Sequence, residues 1–138
     1  MKSQDLVSDY IFRASGRLKS IHTLMQESLW ADTVRESQEV VELALKALLR
    51  HYRIDIPRIH DVSEILEQNK ERFSARINEN LEFLMNTSHD LRRDRELSFY
   101  GSEDITPHNF YKEKHAKVAL DSATKVVEIC KKDIERTP

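Results

Sequence analysis

Three arginines, Arg92, Arg93 and Arg95, fall within about one helical turn in the stretch Ser88-His89-Asp90-Leu91-Arg92-Arg93-Asp94-Arg95-Glu96-Leu97-Ser98-Phe99-Tyr100-Gly101. A guanidinium offers a planar fork of donors that fits a carboxylate or a phosphate, so such a cluster either pairs with acidic side chains or holds an anion. Asp90, Asp94 and Glu96 cancel the formal charge of the stretch, and Arg92 with Glu96 has the i,i+4 spacing of a surface pair. Arg95 differs, because it continues the apolar stripe of Leu84 and Leu91. A guanidinium buried there needs a partner. Glu39 or Glu42 of the second helix would supply a structural one, and a phosphate a functional one. Ser98 and Tyr100 complete the candidate phosphate-binding set. Tyr100 either stacks on a base or donates to phosphate, or it closes the core as a helix-end aromatic. Lys112, Lys114, His115 and Lys117 either extend a basic rim or form a solvated face.

Other chemistries are excluded by residue type and spacing. A carboxylate-bridged di-iron bundle needs Glu three residues before His. The residues three before His22, His51, His60, His89, His108 and His115 are Lys19, Leu48, Pro57, Asn86, Ile105 and Lys112. Two glycines and one cysteine cannot build a phosphate-cradling glycine loop, a nucleophile elbow or a paired-cysteine zinc site. No metal and no cofactor is predicted. Cys130 lies in an apolar pattern that continues to Ile134 and reads as a small core residue.

The elements that must position the arginines follow from periodicity. The 138 residues suffice for one domain, predicted over 1–138, and Gly 2 with Pro 3 argues for helix throughout. Val7, Ile11, Ala14, Leu18, Ile21 and Met25 stripe a first helix from about Gln4 to Glu27. No Gly or Pro lies between Arg17 and Ile56, yet one helix of that length would run about 60 Å, too long for this domain. The stripe loses phase at Gln26 to Leu29 and restarts as Trp30, Val34, Val41, Leu45 and Leu48. That predicts a break with Ser28 as N-cap and a second helix ending near Tyr52, with Trp30 as a core anchor. Pro57 marks a loop, and Asp61 with Glu64 has capping-box spacing ahead of a short third helix. Ile77, Leu81, Leu84 and Leu91 mark a fourth helix from about Ala75 to Phe99, stopped by Gly101. Thr106-Pro107 opens a fifth helix carrying Phe110, Leu120, Ala123, Val127, Cys130 and Ile134. No strand pattern appears. The predicted fold is all-α, an antiparallel up-and-down bundle of four long helices plus one short helix.

Net charge is −2, so any hold on nucleic acid comes from a local patch. No stretch approaches the roughly 18 to 20 apolar residues of a membrane span. With Asp5 ahead of any apolar run and no cysteine pair, the expected compartment is cytoplasmic, without a signal peptide or a membrane association.

Two stretches resemble the HEPN family, the nucleotide-binding helical domains of higher eukaryotes and prokaryotes. One is Val41-Glu42-Leu43-Ala44-Leu45-Lys46-Ala47-Leu48-Leu49 with the later Pro57-Arg58-Ile59-His60-Asp61, which is similar to the family's second helix and following loop. The other is the arginine-rich end of the fourth helix. The resemblance implies a bundle, commonly a homodimer, whose fourth-helix motif lines a groove between protomers. It also implies nucleotide or RNA as ligand, and a nucleotidyltransferase partner in a toxin–antitoxin pair. The family's ribonuclease motif is an Arg followed after about four to six residues by His, sometimes with Tyr two positions on. Aligned on Tyr100, this chain offers Arg93 and then Ser98 where the histidine belongs, and Leu97 to Ser102 contains no His. Cleavage through the 2′-hydroxyl calls for a group titrating near neutrality, which serine is not. The expectation is therefore phosphate binding through Arg92, Arg93, Arg95, Ser98 and Tyr100 with a degenerate nuclease motif and no catalytic residue. One alternative is a metal-independent endoribonuclease with a relocated histidine, His89 or His108. The other is a structural interaction module whose arginines form ion pairs. His60 is expected to be an exposed loop residue.

Overall fold

The computed structural model describes residues 3–56, 62–100 and 106–136; for Ser3 and for residues 93–100 only the backbone is described. Among the described residues the elements are α1 (Ser3–Gln26), α2 (Trp30–His51), α3 (Val62–Gln68), a single 3₁₀ turn (Lys70–Arg72), α4 (Ala75–Glu79), α5 (Leu81–Tyr100), α6 (Pro107–Phe110) and α7 (Glu113–Arg136), with no strand. The all-α reading holds. Pro57, Arg58, Ile59, His60, Asp61 and Gly101 lie outside the described residues, and so do the expected Asp61 cap and Gly101 stop.

The stripes bury as their spacing dictates. Val7, Ala14 and Ile21 of α1 face inward, and α2 is buried on more than one side: Val34, Val41, Leu45 and Leu48 on one, Val40, Ala44 and Ala47 on another. A helix apolar over so wide an arc must sit inside the domain. Accordingly α2 packs against α1, α5 and α7, while α5 and α7 touch each other little. Trp30 packs partly buried against this core, and Cys130 is fully buried. Burial, and secondarily the Asp133 carboxylate, pushes the Cys130 thiol far up from its ordinary value, so it remains protonated.

Ser28 does break the long stripe, though not as an N-cap. The N-cap of α2 is Leu29, which makes no side-chain cap bond, while Ser28 adopts φ 59°. Leu29 N–H donates to the Leu24 carbonyl at 3.0 Å and Ser28 N–H to that of Met25 at 3.0 Å. This is a Schellman turn, in which a left-handed residue lets the chain satisfy the last carbonyls of a helix. The end of α2 repeats the device. Arg53 has φ 59°, its N–H donates to Arg50 at 2.9 Å, and Ile54 N–H donates to Leu49 at 2.9 Å, with Ile54 and Leu49 both buried. Glycine is the residue that adopts this conformation without a Cβ penalty. Conversely, Gly16 is exposed in the middle of α1, where an added Cβ would meet nothing within 4 Å. The double variant Gly16→Ala/Ser28→Gly is therefore expected to be more stable by roughly 1 to 2 kcal/mol, the two sites contributing independently. Thermal unfolding of the two single variants and the double one checks this.

The predicted fourth helix is two helices. Asn80 N–H bonds the Ile77 carbonyl at 3.0 Å, while its side-chain Nδ2 donates to the Arg76 carbonyl at 2.9 Å, the acceptor that a continuing helix would give to the backbone. The side chain thus replaces the ladder, and the Asn80 carbonyl then accepts from Leu84 N–H at 2.9 Å to start α5. Likewise the predicted fifth helix is two. Thr106 caps as expected, its hydroxyl accepting from Asn109 N–H at 3.3 Å with Pro107 at the first position, but Tyr111 turns extended at φ −85°, ψ 137° and buries its ring.

One end of the bundle is tied by a buried polar cluster. Asp133 of α7 is fully buried and accepts from Tyr52 Oη at 2.6 Å, Ser74 Oγ at 2.6 Å and Arg76 Nη1 at 3.2 Å. Ser74 N–H donates to Tyr52 Oη at 3.2 Å, and the Ser74 hydroxyl also caps α4 by accepting from Ile77 N–H at 3.3 Å. Three separate segments, the ends of α2 and α7 and the start of α4, thus meet on one carboxylate.

Candidate functional site

The opposite end carries a groove of about 530 Å³. Val34 from the first turns of α2 lines it, with Thr87, Asp90 and Leu91 of α5, Phe110 and Tyr111 at the end of α6, and Lys114, His115, Val118, Ala119 and Ser122 of α7. Because Val34 and Ala119 meet at this end and Tyr52 and Asp133 at the other, α2 and α7 run in the same direction. The first turns of α7 are thereby brought beside the second half of α5.

The break between α6 and α7 builds the groove's aromatic side. Lys112 acts as the N-cap residue of α7: its carbonyl accepts from His115 N–H at 3.0 Å and Ala116 N–H at 3.2 Å, and its own N–H donates to His115 Nδ1 at 2.9 Å. His115 therefore fills the reciprocal half of a capping box, a position ordinarily taken by Glu or Gln. As Nδ1 is an acceptor, the neutral ring carries its hydrogen on Nε2 and donates from that edge. The Phe110 and His115 rings are nearly parallel, at 10° with centroids 6.4 Å apart. Tyr111, almost wholly buried, stands edge-on to both, at 4.9 Å and 79° from Phe110 and at 5.9 Å and 88° from His115.

The sequence-predicted residues are placed as follows. Arg92 is exposed on α5, one residue beyond the lining residue Leu91. The backbone of Arg93, Arg95, Ser98 and Tyr100 continues α5 to its end, and their side chains lie outside the described residues, as does any pairing of Arg95 with Glu39 or Glu42. His89 on α5 and His108 on α6 are exposed, and neither lines the groove. Lys114 and His115 line it, and Lys112 and Lys117 are exposed nearby. Asp90 enters the site although the sequence suggested only a charge-balancing role. Phe110 was expected in the core stripe, but it is 40% exposed and forms a wall. The single signal that could have found it is the Thr106-Pro107 start so close to a second capping pair, Lys112 and His115. Among the described residues no group of three or more His, Cys, Asp or Glu side chains could hold a metal ion, and no helix is long and apolar enough to cross a membrane.

The model of the HEPN domain matches residues 7–134. The crystal structure of an archaeal HEPN homologue superimposes with a TM-score of 0.65 at 23% sequence identity, covering 93% of this chain and 97% of that chain, a likeness that concerns the fold. No curated protein matches the chain.

Proposed function

The chain belongs to the HEPN domain family, and on that premise we propose that it binds nucleotide or RNA phosphate through Arg92, Arg93 and Arg95, assisted by Ser98 and Tyr100, with little ribonuclease activity. The observation that carries this reading is the continuity of α5: the arginine turn follows directly on Asp90 and Leu91, which line a groove whose α7 side adds Lys114. Guanidinium groups carried by a helix that also lines a concave, partly aromatic surface suit a phosphorylated ligand. Ser98 stands where the family's histidine would be, and loss of a general acid or base typically costs about 10²- to 10⁴-fold in rate. In this reading the domain acts as a homodimer and pairs with a nucleotidyltransferase in a toxin–antitoxin system, inside the cytoplasm. The test is binding of a short single-stranded RNA across a range of salt concentrations, with the arginines intact and removed.

His115 favours a second reading. It places a histidine among the residues lining the groove, as neither His89 nor His108 is. An endoribonuclease using this histidine would cleave RNA in the presence of chelator, and His115→Ala would lower the rate at least about 10²-fold. Absence of cleavage by the intact protein eliminates this reading and leaves phosphate binding standing.

A further inference from the structure

Resting on the phosphate-binding reading above, we infer that the groove takes a nucleobase, stacked parallel to the Phe110 and His115 rings that the buried Tyr111 supports from behind. Three features converge on a planar, partly polar guest. First, Phe110 leaves 40% of its surface in solvent at a point where the chain spends a separate capped turn to present it. Second, the Phe110 and His115 planes differ by 10°, so one flat ring can lie parallel to both, while Tyr111 stands at 79° and 88° to them and is fixed by burial. The hydrogen bond from Lys112 N–H to His115 Nδ1 holds the imidazole in that plane without a ligand. Third, the polar groups of the same groove suit the edge of a base and its phosphate. Asp90 can accept from ring or exocyclic N–H groups, Ser122 offers a hydroxyl, and Lys114 supplies positive charge. An aliphatic guest would gain contact with the rings but make no use of the groove's polar groups.

The Asp90 carboxylate further sets a preference. Guanine, whose adjacent ring N–H and amino group can both donate to one carboxylate, is expected to bind better than uracil, which presents a single N–H between two carbonyls. The base comes either from a free nucleotide or from a strand of RNA, and the arms of one experiment separate the two.

The intact protein is titrated into a labelled short single-stranded RNA and into a backbone of the same length without bases, with mononucleotide added as competitor. Phe110→Ala, whose site is on the surface, is expected to weaken binding of the base-bearing strand about five- to hundredfold and to leave binding of the abasic strand unchanged. Phe110→Tyr, which keeps the ring, restores the affinity. Competition by millimolar mononucleotide supports the base site with a free nucleotide as its source, and absence of competition supports it with RNA as the source. Equal binding of base-bearing and abasic strands, or a Phe110→Ala variant that binds as tightly as the parent, overturns the stacking site while phosphate binding survives. If the parent protein binds neither strand nor mononucleotide, both readings fall.

Discussion

Replacing Asp133 with alanine is expected to cost about 3 to 4 kcal/mol of folding stability. The carboxylate is fully buried and collects hydrogen bonds from Tyr52, Ser74 and Arg76, so its removal leaves two hydroxyls and a guanidinium facing an apolar methyl. Each unsatisfied buried donor costs about 1 to 3 kcal/mol, and breaking a buried ion pair from one side about 3 to 5. The Arg76 side chain is 32% exposed and can turn toward water, which keeps the total near the lower figures. Asp133→Asn retains one acceptor and is expected to cost roughly half as much. Urea unfolding with an unchanged slope and a lowered midpoint measures the loss. An Asp133→Ala variant within about 1 kcal/mol of the parent would mean that the three segments are joined by packing alone.

The second large effect concerns ligand affinity. If Arg92, Arg93 and Arg95 each hold a phosphate as proposed, converting them together to alanine removes three contacts, and for single-stranded nucleic acid each contact contributes about 0.7 to the slope of log affinity against log salt. The slope is therefore expected to become shallower by about 2. A fourfold rise in salt would then weaken the parent about twentyfold more than the variant. Unfolding midpoints taken alongside separate the two readings of the cluster. Unchanged stability with a reduced salt slope supports phosphate binding. A variant that loses several kcal/mol while the parent shows no salt-dependent binding supports ion pairing with α2 as the function of Arg95. Equal slopes for parent and variant remove the arginines from the site, even where Phe110 proves essential.

The long helices were legible because apolar residues at steps of three and four leave one packing solution, as in Val7 to Met25 of α1 and Val34 to Leu48 of α2. Breaks were legible only where the stripe lost phase. Ser28 was found that way, and its role was misread because nothing in a serine announces a left-handed turn. The interruptions at Asn80 and Tyr111 keep the apolar rhythm nearly intact: one depends on a side chain taking a single carbonyl, the other on where an aromatic ring finds room. The Asp133 cluster was hidden for a different reason. Its members are 22, 57, 59 and 81 residues apart in sequence, and no local pattern relates them. For the site, the arginine-rich turn was visible as composition, whereas the membership of Asp90, Phe110 and His115 follows from the parallel course of α2 and α7, which only packing decides.

The Asp133 cluster and the groove occupy opposite ends of α2, with Val34 at one and Tyr52 at the other, about 27 Å of helix apart. Substitutions that far apart combine without interference. Changes at the mouth of the groove can therefore accumulate without cost to the anchor that keeps the chain folded.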